Sequence, residues 1–135
     1  MDIRILEEKL LALNTEIENI LKVVGYKKQY SLDGLIYDEK NMDDCMKYKE
    51  FCFVFSHLDY IHSLLNYLQK PIVQEGTICL NDKGEYELNG IALNSNDVVE
   101  IIALDEEKQV YYWNPVFVNE RANLDGKKAR MRRYR

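Results

Sequence analysis

Glycine, proline and cysteine are scarce in this chain of 135 residues, at 6, 2 and 3 copies. So few glycines and prolines leave little room for a flexible linker, and no low-complexity segment or internal repeat is visible. Cys45, Cys52 and Cys79 are an odd number without paired spacing, which argues against a secreted disulfide framework and for a reducing, cytoplasmic setting. No apolar run approaches the roughly 20 residues of a membrane span, so no membrane partner is expected. The opening Met1-Asp2-Ile3-Arg4 has neither the basic segment nor the apolar stretch of a secretory leader. Glycine-rich phosphate loops, G-x-S-x-G elbows and H-E-x-x-H patterns are all missing.

What is there begins with helical periodicity. Ile3, Leu6, Leu10, Leu13, Ile17, Ile20 and Val24 alternate in steps of three and four, which places them on one stripe of a helix over about 2–24. Asp2 can cap its start and Gly25 can end it. A second helix is predicted over about 42–69, capped by Asn41 or Asp43 and stopped before Pro71, with Val54, Leu58, Ile61, Leu65 and Leu68 as its stripe. Phe51, Phe53 and Phe55 widen its apolar surface. The two stripes are expected to zip together as an antiparallel hairpin over residues 1–70, and the middle of the second helix to pack also on the β half or on a second copy of the chain. Residues 25–41 read as a connection with a turn at Ser31-Leu32-Asp33-Gly34.

From residue 72 the period shortens. Short runs near 76–80, 85–88, 97–104 and 109–118, and a last segment over 127–135, are separated by Asn81-Asp82-Lys83-Gly84, Asn89-Gly90, Asp105-Glu106-Glu107-Lys108 and Asp125-Gly126. Pro115 implies an edge, a bulge or a break. The expected class is α+β: a two-helix hairpin, then a small antiparallel barrel-like sheet of about five strands over 72–135.

Part of this second half carries a resemblance. Glu75-Gly76, Leu80-Asn81, Gly84, Tyr86-Glu87-Leu88-Asn89-Gly90, Leu93, Ser95, Asp97, Glu100, Leu124-Asp125-Gly126, Ala129-Arg130 and Arg132 resemble a family of short bacterial proteins classed as a domain of unknown function. Glu85 and Asn96 depart from its pattern, at positions where a basic residue and a glycine are expected. The family is found in Gram-positive genomes, plasmids, conjugative elements and phages. The resemblance implies a mobile-element setting and implies no reaction.

Chemistry-bearing clusters are weak. Cys45, Cys52, His57 and His62 share the second helix, but 45 and 52 lie about 10 Å apart along it, and His57 and His62 point about 140° apart. No metal site is expected, no cofactor, and no catalytic residue. Cys52 reads as a core position and Cys79 as a strand residue.

Charge is the remaining signal. The net charge is −5, laid out as −3 over residues 1–70, −8 over 71–126 and +6 over 127–135. Lys127, Lys128, Arg130, Arg132, Arg133 and Arg135 are candidate contacts for a macromolecule, through phosphates or through acidic protein surface. Alternatively the arginines pair with the acids of 71–126; as a final strand, Ala129 and Met131 would face the core and Arg130 and Arg132 outwards. Trp113 and Tyr111, with Tyr112, form either a stacking platform for bases or part of a barrel core. The leading expectation is a non-enzymatic accessory protein of a phage or other mobile element. It would bind a host protein or nucleoprotein, with an anti-CRISPR-like inhibitor of a defence nuclease as a specific option. The alternative is a nucleic-acid-binding regulator that uses the basic tail.

Overall fold

The computed structural model describes residues 1–27, 31–120 and 123–133. The chain divides into two compact units, residues 1–69 and 70–135. In the first, Asp2 is extended and its carboxylate accepts from the Arg4 amide at 2.7 Å, which starts α1, Ile3–Val23. Gly25, at φ +60°, ends it. A Cβ on Gly25 would stand 2.9 Å from the Gly34 nitrogen, and one on Gly34 would stand 2.7 Å from the Val23 oxygen. Two backbones therefore touch here with no side chain between them. The Gly34 amide donates to the Val24 carbonyl at 2.8 Å and closes the loop.

The connection carries a two-stranded ribbon, β1 (Tyr26–Lys27) against β2 (Ser31–Leu32). The predicted turn at 31–34 is thus half strand: only Asp33-Gly34 turns, because Leu32 pairs with Tyr26 and is 2% exposed. The second helix, α2, is Met42–Gln69. Asn41 is its cap, its Oδ1 accepting from the amides of Asp43 and Asp44 at 2.9 and 3.1 Å.

The helices run antiparallel: Asn14 meets His62 and Asn66, while Tyr26 stacks on Phe55. The stripes do not zip onto each other as the spacing predicts. Ile17 and Leu65 are buried, but Leu6, Leu10, Leu13 and Ile20 on α1, and Val54, Ile61 and Leu68 on α2, stay exposed. The cause is a rotation. Asn14 follows Leu13, His62 follows Ile61 and Asn66 follows Leu65, each about 100° further round its helix. Asn14, His62 and Asn66 share the contact line with Ile17 and Leu65, and the exposed stripe positions lie beside it.

Among the described residues the second unit forms one antiparallel sheet of six strands: β3 (Ile72–Leu80), β4 (Tyr86–Leu88), β5 (Ile91–Ala92), β6 (Val98–Asp105), β7 (Val110–Phe117) and β8 (Lys128–Arg132). Their order is β5-β4-β3-β8-β6-β7. No closed barrel forms among the described residues, since β5 and β7 end the sheet without pairing to each other. The sixth strand, β5, arises from a two-residue hairpin in which Asn89 (φ 52°) and Gly90 (φ 77°) turn between Leu88 and Ile91. Pro115 does not break β7, which among the described residues has β6 as its one neighbour in the sheet and therefore tolerates a residue without an N–H. The core lies on one face of the sheet: Ile78, Leu88, Val99, Ile101, Ala129 and Met131 point into it, joined by Leu93, Val118 and Leu124.

Candidate macromolecule-contact surface

Alternation decides what occupies the other face of the sheet. With Val99 and Ile101 turned inwards, Val98, Glu100, Ile102 and Leu104 of β6 point the opposite way. The β6–β7 register sets Phe117 beside Val98, Pro115 beside Glu100, Trp113 beside Ile102 and Tyr111 beside Leu104. On β8, Ala129 and Met131 face the core, so Lys128, Arg130 and Arg132 join this second face. Tyr111 is 74% exposed, Ile102, Leu104 and Phe117 are exposed, and Trp113 is half-buried.

A buried charge anchors the face. Glu100 is 2% exposed, and its two carboxylate oxygens accept from Arg130 Nε and Arg132 Nε, each at 2.6 Å. Arg132 Nη1 also donates to the Lys70 carbonyl at 3.0 Å. The Arg130 guanidinium carbon lies 4.4 Å from the centre of the Trp113 ring, a cation–π contact that fixes both groups. Arg133 Nη2 donates to Asp97 Oδ2 at 3.2 Å.

These contacts sort the residues singled out from the sequence. Arg130 and Arg132 do leave the core face, but they are not accessible cations. Their side chains are 19% and 17% exposed and are held by Glu100. Arg133 is shared with Asp97. Lys127 and Lys128 are exposed, and Arg135 lies outside the described residues. Trp113 and Tyr111 share the second face and are no barrel core, whereas Tyr112 pairs with Ala103 and takes the core side. A stacking platform of all three rings is therefore not formed.

The helical unit holds a second polar cluster. Asn14, 4% exposed, donates through Nδ2 to Asn66 Oδ1 at 2.9 Å, and its Oδ1 lies 2.7 Å from His62 Nδ1. Asn66 Nδ2 lies 3.1 Å from His62 Nε2. With the proton on Nδ1, His62 donates to Asn14 and accepts from Asn66, and the three side chains close a ring with every bond satisfied. His57 Nδ1 is 2.8 Å from its own helix at the Phe53 carbonyl. Among the described residues no group of three or more His, Cys, Asp or Glu side chains is placed to hold a metal ion. Cys52 is buried, Cys45 donates to the Glu39 carbonyl and Cys79 is exposed.

Sequence reasoning misses Glu100, Ile102, Leu104 and Phe117 as parts of one surface. The alternation in Val98–Asp105 carries the signal for three of them, but the partner strand, and with it the register, is set by long-range pairing. The Asn14–His62–Asn66 ring is hidden for the same reason. Comparison of the chain with protein-family models, curated proteins and solved structures finds no match. Among the described residues no helix is long and apolar enough to cross a membrane.

Proposed function

We propose that this chain is a non-enzymatic accessory protein that binds a host protein or nucleoprotein through the second face of its sheet. The observation that carries the reading is the row Ile102, Leu104, Tyr111 and Phe117. These large apolar side chains are exposed together around a Trp113 that is held by Arg130. Aromatic and arginine side chains in a contiguous apolar patch are the composition of binding hot spots. A strand-borne patch backed by a packed core is rigid, so little ordering is needed when a partner docks.

The phage or mobile-element setting, and residence in the cytoplasm, rest on the resemblance of residues 72–132 and on the three unpaired cysteines. The −8 charge of residues 71–126 suits the narrower option of an anti-CRISPR-like inhibitor that imitates nucleic-acid charge. Nucleic-acid binding through the tail is the second reading, and the exposed Lys127 and Lys128 favour it.

Affinity capture from the lysate of a Gram-positive host tests the leading reading. The chain is expected to retain a defined macromolecule that the Tyr111→Ala/Phe117→Ala double variant loses. Equal recovery by the two proteins would exclude this face as the contact.

A further inference from the structure

The helical unit leaves more apolar surface uncovered than a lone hairpin can hide. Leu6, Leu10 and Leu13 on α1 are 45, 36 and 49% exposed, and Val54, Ile61 and Leu68 on α2 are 49, 38 and 52% exposed. The stripes to which they belong contain no polar residue at any position. On each helix the exposed stripe positions lie on the side one residue before the polar contact positions, which is a rotation of the same sense. Because the helices are antiparallel, equal rotations carry both stripes to the same side of the hairpin. The result is one continuous apolar face, two helices wide.

We infer that this face pairs with the same face of a second copy, so that two hairpins complete a four-helix bundle. Three observations select that occupant. Steps of three and four sustained along both helices mesh with helices of the same step, knob into hole. A strand or an irregular surface offers no such period. One chain supplies both halves of the contact, which a two-fold axis then makes self-complementary. The size also fits. Stripes about 31 Å long on α1 and about 21 Å long on α2, each about 9 Å wide, project on the order of 470 Å². Their corrugated side chains add to that, approaching the roughly 800 Å² per partner of a stable interface. Largest patches on ordinary monomers span about 300–600 Å².

This inference stands apart from the sheet-face reading and is tested separately. Sedimentation equilibrium of the full chain across the micromolar range is expected to give twice the 16.0 kDa chain mass. Leu10→Glu and Ile61→Glu each place a charge on the shared face without touching the Asn14–His62–Asn66 ring. Each is expected to move dissociation to at least about 100-fold higher concentration. Helical circular dichroism above that threshold shows that a variant is folded. The Tyr111→Ala/Phe117→Ala variant should remain dimeric. A chain that is monomeric throughout while fully helical overturns the inference, as does a dimer that neither charge disturbs or an assembly of more than two copies.

Discussion

Glu100 is the most consequential single residue in the sheet. Its carboxylate is taken out of water and compensated by two guanidinium groups, both drawn from β8. Such an arrangement contributes little relative to an apolar replacement of the whole cluster, but losing one member leaves like charges facing each other. Glu100→Gln is therefore expected to cost about 3 kcal/mol, read as a shift of the urea midpoint. It should also loosen Trp113, visible in fluorescence, because Arg130 loses the anchor that holds it over the ring.

A milder charge effect operates at the ribbon. Lys27 Nζ is 2.6 Å from Asp33 Oδ2, and Ser31 donates to Asp33 Oδ1 at 3.1 Å. The hydrogen bond from Lys27, then that from Ser31, holds the Asp33 carboxyl below the ordinary aspartate range. A folded-state value below the unfolded one gives a contribution that is present above the unfolded value and lost as pH falls through the folded one. In an NMR titration Asp33 is expected to protonate at lower pH than a reference aspartate, and Lys27→Ala should raise that midpoint.

At the scale of elements, local chemistry decides where helices start and stop. Gly25→Ala must adopt a left-handed conformation and also push into the Gly34 backbone. Gly84→Ala meets the same conformation in open space. The first is expected to cost about 2 kcal/mol or more and the second about 1 kcal/mol, measured by thermal denaturation of the two variants side by side.

The same locality explains which parts of the fold are legible beforehand. The caps at Asp2 and Asn41, the end at Gly25 and the Asn89-Gly90 hairpin depend on neighbours in sequence, and the two long helices and most strands follow from them. What pairs with what is different. The spacing of Ile3 to Val24 shows an apolar stripe but not its direction, and one asparagine at position 14, by bonding across to α2, turns it aside. The open sheet differs from a barrel only in whether β5 and β7 meet, which no short segment encodes. Of the surface residues, Tyr111 and Trp113 are visible as aromatics, while Ile102 and Leu104 need the register before they join them.

On the scale of the whole molecule, the basic tail changes meaning. Six cations over 127–135 read as a polyanion site. Arg130, Arg132 and Arg133 are committed to Glu100 and Asp97, which withdraws three of the six cations; among the described residues Lys127 and Lys128 remain to reach phosphates. If the chain binds duplex DNA through this tail, the slope of log affinity against log salt is expected to be no steeper than about −3, instead of about −5 for six contacts. Fluorescence anisotropy across a salt series measures it, and a steeper slope would mean that binding pulls the arginines off their carboxylates.

The ring formed by Asn14, His62 and Asn66 has one more consequence. Greasy seams made of repeating leucines are prone to slip by a heptad, since every seven-residue step offers another acceptable fit. Three polar groups that satisfy one another in a single alignment work as a latch against that slippage. Leu10 and Leu13 are thereby kept level with fixed counterparts on the neighbouring helix, and whatever settles onto them meets one shape instead of several.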